Sequence, residues 1–357
     1  MTGQMIDWDF AVATASRMAG QGPDVSRAEA DEVVAELRAG AERSTALVRD
    51  YTGLTAVAAT APILVVDRRG WIQANADSFA TLVNPVVDKI VSRRSGRGIA
   101  EGGFAEVVGS RVTGLEVGSL LGFLAGKVLG QFDPFSGETG GPEVGRLLLV
   151  APNIVHTERE IGADPTDFRL WVCLHEETHR VQFTAVPWLR DHLKGQIDQL
   201  VEGVDLDPSH MATMLSDAVK RAGDLVSGKD GTSLLDLFAT PAQREVIDQV
   251  TGVMSLLEGH ADVVMDGVGP EVIPSVRHIR SRFDRRRRGA GSLDRLVRRL
   301  LGLDAKMAQY REGARFVRGV VSDVGMDGLN KVWVEPANLP TKDEIGDPRG
   351  WVRRVHG

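Results

Sequence analysis

The apolar residues of this chain recur mainly at the three-to-four-residue spacing that places them on one face of a helix. Over residues 26–51, valine, alanine and leucine alternate in this way with glutamate and arginine, and Ser26 pairs with Glu29 in an N-terminal capping pattern. Residues 71–94 have the same periodicity. The pattern predicts a mainly α-helical fold with only a small β element.

Two continuous apolar segments are the candidates for that β element. Residues 62–67 are short and rich in β-branched side chains, although a buried helical turn fits them nearly as well. Residues 146–152 form the better strand candidate. An unbroken apolar run follows Arg146 and stops at Pro152.

A glycine at every fourth position gives one predicted helix a smooth ridge, along which another helix can approach closely. Arg111, Glu116 and Lys127 interrupt this apolar segment, which lacks the ~18 uncharged residues needed to span a membrane. We therefore expect a helix of the protein core, followed by a loop at residues 131–142. The glycines of the ridge are Gly114, Gly118, Gly122, Gly126 and Gly130.

Composition narrows the class of protein. A chain of 357 residues can bury a large core, and a net charge of −7 argues against a general polyanion binder. Cys173 is the only cysteine, which excludes an intrachain disulfide and suits a reducing compartment; we interpret it as a buried small hydrophobe. Residues 1–20 lack the pattern of a secretory signal, so the expected location is cytoplasmic, without membrane association.

The candidate chemistry begins with the run from His175 to His179, which reads His-Glu-Glu-Thr-His. On a helix, His175 and His179 lie one turn apart on the same face and can both reach one zinc ion. Glu176 lies about 100° around the helix, where it can take a proton from a water that the metal activates. The motif predicts two metal ligands and a general base, whereas the competing interpretation is a solvated face of glutamate, histidine and arginine.

Capping patterns delimit two helices that carry candidate ligands. Asp164 followed by Pro165 predicts the N-terminus of the helix with the histidine pair. Thr240 followed by Pro241 predicts the start of a second helix, which runs toward Gly267. The second helix carries Glu258, His260 and Asp262.

The third zinc ligand is sought on that second helix, because catalytic zinc normally has three protein ligands. Glu258 and Asp262 are four residues apart and share a face, which resembles the Glu-x-x-x-Asp arrangement of gluzincin metallopeptidases. The resemblance implies that Glu258 is the third ligand and that Asp262 accepts the far N–H of His175. His260 points about 200° away from Glu258 and is the alternative ligand or an oxyanion donor.

Most of the chain resembles actinobacterial zincin-like proteins identified as zinc-dependent metalloproteases or hydrolases, some labelled as associated with coenzyme F420 biosynthesis. The resemblance implies a mostly helical zincin-like fold and a Zn²⁺ cofactor. It also implies an edge strand that binds an extended peptide, for which residues 146–152 are the candidate, with a central buried strand as the alternative. The matching stretches are residues 66–68, Trp71, Asn75, 129–133, 150–153, 171–183, 257–261, Lys306, 309–310, Trp333 and 339–341.

A hydrolase of this kind needs a hydrogen-bond donor for the oxyanion of its tetrahedral intermediate. Tyr310 lies on a predicted helix within one of the matching stretches and is the first candidate, with His260 second. The alternative for Tyr310 is a tyrosine that packs and hydrogen-bonds in the core.

We expect three parts along the chain: a helical segment at residues 1–60 packed on the body, a zincin-like helical domain at 61–330, and an ordered C-terminal tail at 331–357. Between the two ligand-bearing helices lies an insertion longer than in thermolysin-like enzymes, with helices predicted near residues 186–204 and 208–226. The length of this insertion argues against transferring substrate pockets from those enzymes.

These features predict a zinc-dependent metallopeptidase or hydrolase that acts on a peptide or amide substrate. One alternative is a catalytically silent, zinc-stabilised binding or scaffold protein whose site is occluded. Another is an anionic partner for the arginine-rich residues 277–299. Their helical spacing, and the absence of interleaved aromatic residues other than Phe283, favour a basic helix face, so no nucleic acid is expected. The oligomeric state does not follow from the sequence.

Overall fold

The computed structural model of the chain describes residues 6–55, 61–95, 104–137, 145–202, 240–288 and 303–357. They are mostly helical with one small three-stranded sheet, which confirms the predicted fold class. The helices are α1 Trp8–Met18, α2 Arg27–Thr52, α3 Arg68–Ser95, α4 Phe104–Ala125, α5 Ala151–Ile161, α6 Pro165–Ala185, α7 Leu189–Glu202, α8 Pro241–Gly267, α9 Val276–Arg288, α10 Leu303–Leu329, α11 Lys342–Gly346 and α12 Pro348–His356. The strands are β1 Ile63–Val66, β2 Gly130–Asp133 and β3 Arg146–Val150, and 3-10 turns lie at Asn330–Trp333 and Pro336–Asn338.

The chain divides into two compact units, of which the first comprises Met1–Pro187 and Val264–Phe283 and the second Trp188–Val263 and Asp284–Gly357. The first unit contains the sheet, helices α1 to α6 and most of α9, and the second contains α7, most of α8 and helices α10 to α12. Helix α8 is continuous and contributes its last residues to the first unit. The three-part division expected from the sequence stays a prediction.

The strand at residues 146–150 lies in the centre of the sheet. It pairs in parallel with β1 and antiparallel with β2, giving the order β1-β3-β2. Its last four residues are all buried, because both hydrogen-bonding edges and both faces are covered. The expectation that this segment is a substrate-binding edge is therefore wrong, and the alternative of a central buried strand is confirmed.

Strand β2 lies in a segment that the sequence predicts to be a loop, so the interpretation of residues 131–142 is wrong at its start. The sequence of β2, Gly-Gln-Phe-Asp, has little apolar character of its own, and its extended form is held by hydrogen bonds to β3. The side chain of Gln131 connects β2 to two buried residues of α3. It accepts a hydrogen bond from the Trp71 indole at 2.8 Å and donates one to Asn75 at 3.0 Å. Hydrogen bonds, and not an alternating apolar sequence, therefore hold β2 in place.

The two faces of the sheet belong to two different clusters of apolar side chains. Leu148 and Val150 pack with residues of α1, α3 and α4 on one face. Leu149 packs on the opposite face, with residues of α2 and α6. This alternation follows from the two-residue period of a strand, and it places α6 directly against the sheet.

The N-terminus of α6 is where the sequence predicts it. The Asp164 carboxylate accepts the backbone N–H of Asp167 at 3.0 Å, and Pro165 is the first helical residue. Helix α6 also packs along α2, where the Cys173 thiol reaches the carbonyl of Leu37 at 3.6 Å. Burial raises the pKa of this thiol, which agrees with the interpretation of Cys173 as a core residue.

The second unit contains a close crossing of α8 and α10. The capping box predicted for α8 is present, since Thr240 and Gln243 each bond the backbone N–H of the other at 2.9 and 3.2 Å. Gly259 of α8 faces Gly313 of α10, and a Cβ on either residue would overlap the backbone of the partner helix. The small residues therefore bring the two backbones together.

The C-terminal residues are helical. They form two 3-10 turns and helices α11 and α12, and the indole of the fully buried Trp351 donates to the Asn338 carbonyl at 2.8 Å.

The arginine-rich segment begins as helix α9, with Ile279 and Phe283 buried. Its remainder at residues 289–299 and the helix predicted near 208–226 lie outside the described residues.

The glycine ridge of α4 lies against α1. An ideal Cβ at Gly118 would fall 2.5 Å from the carbonyl oxygen of Ala11, and one at Gly122 would fall 2.8 Å from the Cβ of Met18. The close helix approach predicted from the glycine spacing is thus confirmed for Gly114, Gly118 and Gly122, whereas Gly126 and Gly130 lie beyond the end of α4. Among the described helices, none has an apolar stretch long enough to cross a membrane.

Replacing Gly118 with alanine is expected to destabilise the protein by about 1–3 kcal/mol, because the added methyl group overpacks the α1–α4 contact. Urea unfolding measures the change. Gly126→Ala is the matched control, since its nearest atoms would lie at 3.9 and 4.0 Å, and its free energy of unfolding should not fall. Equal losses in the two variants would contradict the close packing at Gly118.

Candidate metal centre

The middle of α6 is almost completely enclosed. Between Phe168 and Thr184, every residue is buried except His175 and His179, which are half-buried. Glu176 and Glu177 are only 6% and 0% exposed. The competing interpretation of a solvated polar face is therefore wrong, because only the two histidines retain substantial access to solvent.

The two imidazole rings converge on one point. Their Nε2 atoms are 3.3 Å apart, and the ring planes are nearly perpendicular. Two nitrogens each ~2.0–2.1 Å from a tetrahedral zinc ion would be separated by about 3.4 Å. The separation in this structure therefore fits a pair of zinc ligands.

The Nδ1 atoms of both rings contact protein groups that the sequence interpretation did not include. His179 Nδ1 lies 2.9 Å from the Oε1 atom of the fully buried Gln182, and His175 Nδ1 lies 3.3 Å from the sulfur of Met265. Gln182 follows His179 by three residues, so helical spacing could have identified it. Met265 could not be found in this way, because it belongs to a different helix.

Glu258 joins the histidine pair. His175, His179 and Glu258 each offer one ligand atom, and these atoms all lie within 4.8 Å of one another. All three side chains are half-buried. Two imidazoles and one carboxylate form a donor set that suits catalytic zinc, so the residues present fit the metal that the motif predicts.

The neighbours of Glu258 on α8 have different surroundings. His260 is fully buried, with its ring 5.5 Å from that of Trp333, and it is not part of the three-residue group. Asp262 is partly exposed and lies 3.6 Å from Arg318. The oxyanion role suggested for His260 and the orienting role suggested for Asp262 stay predictions.

The carboxylate of Glu176 lies against the main chain of β2. An ideal Cβ at Gly130 would fall 2.5 Å from Glu176 Cγ and 2.9 Å from its Oε1. Only glycine leaves room for the carboxylate at this position. The strand that the sequence interpretation missed is therefore the one that borders the candidate general base.

Glu177, the next residue, forms a buried ion pair with Arg180. Both of its oxygens accept from Arg180 at 2.7 Å, and Arg180 also donates to the Ala61 carbonyl and to Thr45. A buried carboxylate in a bidentate pair is not available to exchange protons with a substrate. The pair instead connects α6 to α2 and to the start of β1.

Tyr310 lies on helix α10, one turn before the crossing at Gly313, but its side chain is outside the described part of the structure. Its role as an oxyanion donor stays a prediction.

Comparisons with known proteins point to one family. The chain matches the family model of the zincin-like metallopeptidases over residues 6–352. It is also similar to a solved structure from Chloroflexus aurantiacus, described as a candidate hydrolase with a novel fold. The two chains are 32% identical, with a TM-score of 0.70 over 98% of this chain and 99% of that chain. A comparison with curated proteins gave no match.

Removing the guanidinium of Arg180 is expected to destabilise the fold strongly. Arg180→Met leaves the Glu177 carboxylate buried without its bidentate partner, which costs about 3–5 kcal/mol. Arg159→Met is the control, because the Arg159–Glu29 pair is 46% and 40% exposed and should contribute only about 0–1 kcal/mol. Chemical denaturation should separate the two variants, and similar losses would contradict the structural role of the buried pair.

Proposed function

We propose a hydrolytic function for this chain, which belongs to the zincin-like metallopeptidase family. The protein is proposed to cleave a peptide or amide bond with the help of a zinc ion. The observation that supports this most strongly is the convergence of two histidine Nε2 atoms, 3.3 Å apart, with a carboxylate close by. The description of the similar solved structure as a candidate hydrolase agrees with it.

In this proposal His175, His179 and Glu258 hold the metal. A zinc ion held by them would supply a coordinated water with a pKa near neutrality and a Lewis acid for a substrate carbonyl. In this role both imidazoles would offer an unprotonated Nε2 atom, and Glu258 would offer a carboxylate oxygen. With two neutral ligands and one carboxylate, such a centre would keep a net positive charge, which would favour the negative charge developing on a carbonyl oxygen.

Glu176 is proposed to be the general base. Its carboxylate takes a proton from the attacking water as the new C–O bond forms at the carbonyl carbon. It then delivers that proton to the leaving nitrogen as the C–N bond breaks. Burial and the contact with Gly130 limit the positions open to this carboxylate, which suits a group that must accept and return one proton.

Strand β2 replaces β3 as the proposed substrate-binding edge. Within the described residues no strand pairs with its outer edge, and its first residue borders the Glu176 carboxylate. An extended peptide added to that edge would run past the proposed base.

Tyr310 is the first and His260 the second proposed donor to the oxyanion. Asp262 is proposed to orient His175.

A zinc-stabilised binding or scaffold protein is the second candidate function. The observation that favours it is the low exposure of Glu176, which is 6%. This candidate uses the same metal ligands but predicts that no substrate is cleaved. A fluorogenic peptide library incubated with the zinc-loaded protein separates the two functions.

Glu176→Gln is expected to keep its zinc and to lose hydrolysis, because the amide cannot accept the proton of the water. A loss of roughly 10²–10⁴-fold in kcat is typical for a general base. The measurement pairs peptide turnover with the zinc content of the purified protein. Turnover within about tenfold of wild type would remove Glu176 from this role.

Zinc affinity tests the ligands on α8. Glu258→Gln removes a ligand and should weaken zinc binding more than Asp262→Asn, for which about 10–100-fold is expected of an orienting residue. Asp266→Asn is the control on the same helix, because Asp266 pairs with Arg280 at 2.5 Å. Chelator competition gives the three affinities, and a Glu258→Gln protein that binds zinc as tightly as the control would exclude Glu258.

A further inference from the structure

Gln182 is a buried polar residue to which the proposed reaction assigns no role. It is 0% exposed and follows His179 by three residues on α6, so the two side chains share one face of the helix. Its Oε1 atom lies 2.9 Å from His179 Nδ1. This distance is that of a hydrogen bond in which the amide oxygen accepts.

The identity of the acceptor decides where the proton of His179 lies. An amide oxygen has lone pairs and no hydrogen, so Nδ1 can bond to it only by carrying the proton. A neutral imidazole has one ring N–H, and Nε2 is therefore left with a lone pair. That lone pair points toward the Nε2 atom of His175, where the metal is proposed to bind.

The opposite tautomer would close the site. If Nε2 of His179 carried the proton, it could donate to Nε2 of His175, which is only 3.3 Å away. This bond between the two histidines would occupy both of the lone pairs that a metal needs. An acceptor at Nδ1 of His179 removes the arrangement in which His179 is the donor, before any metal arrives.

We propose that Gln182 is a positioning residue that holds His179 in the tautomer with its proton on Nδ1, so that Nε2 is ready to bind a metal. The inference rests on the proposed metal centre and adds to it a residue that does not touch the metal. Orienting partners of this kind typically change metal affinity by about 10–100-fold. Gln182 acts through His179 and is not itself a ligand or a catalytic residue.

The first measurement is made on the metal-free wild-type protein. Long-range ¹H–¹⁵N correlation spectra of the imidazole rings identify which nitrogen of His179 is protonated. The proposal predicts a proton on Nδ1 and an unprotonated Nε2. A neutral His179 ring with its proton on Nε2 would overturn the proposal, whatever the variants show.

The second measurement compares zinc affinities by chelator competition. Gln182→Met keeps the length of the side chain but removes the strong acceptor, so zinc binding should weaken by about 10–100-fold and the His179 tautomers should mix. Gln182→Glu keeps an acceptor at Nδ1 and should retain both the tautomer and at least the wild-type affinity. Gln182→Met with unchanged affinity and tautomer, or Gln182→Glu with affinity about tenfold weaker, would overturn the proposal.

A matched control separates positioning from general loss of packing. Gln196 on α7 is 5% exposed and donates to Gln249 at 3.2 Å, so Gln196→Met also deletes a buried amide. Because Gln196 lies on a helix that carries no proposed ligand, Gln196→Met should change neither the zinc affinity nor the His179 tautomer. If Gln196→Met weakens zinc binding as much as Gln182→Met does, the positioning role is excluded.

The proposed function and this inference can fail separately. Wild-type protein that binds no zinc would contradict the metallohydrolase, and the tautomer in the metal-free protein would still decide whether Gln182 orients His179. Zinc binding that is independent of Gln182 would contradict only the inference.

Discussion

The arrangement on which the rest of the account depends is the pair of imidazole nitrogens held 3.3 Å apart on α6. On a freely solvated helix, two such side chains would exchange among several rotamers and would spend only part of the time in this arrangement. Burial of the neighbouring residues from Phe168 to Thr184 removes that freedom. The core of the first unit and the candidate site therefore use the same helix.

The other elements of the first unit maintain the surroundings of that pair. The Glu177–Arg180 pair connects α6 to α2 and β1, while the bonds of Gln131 to Trp71 and Asn75 hold β2 against α3. As a result Gly130 lies against Glu176, and the carboxylate next to the histidines has a defined position. Gln182 lies next to the pair, with its amide oxygen 2.9 Å from Nδ1 of His179.

Much of this arrangement was predictable because it depends on local rules. The N-cap at Asp164, the capping box at Thr240 and the glycine ridge of α4 each follow from a short pattern. The edge position of β2 was not predictable, because tertiary hydrogen bonds rather than its own residues hold it extended. Met265 was missed for the same reason, since its contact with His175 joins two distant parts of the sequence. The association with coenzyme F420 stays a prediction, since no described contact bears on it.

The central claim is that His175, His179 and Glu258 bind one zinc ion. The most direct test is a crystal structure of the zinc-loaded protein with diffraction recorded on both sides of the zinc absorption edge. An anomalous peak is expected within bonding distance of both Nε2 atoms and of a Glu258 oxygen. Ordered histidines without such a peak, or a zinc ion bound by other residues, would contradict it.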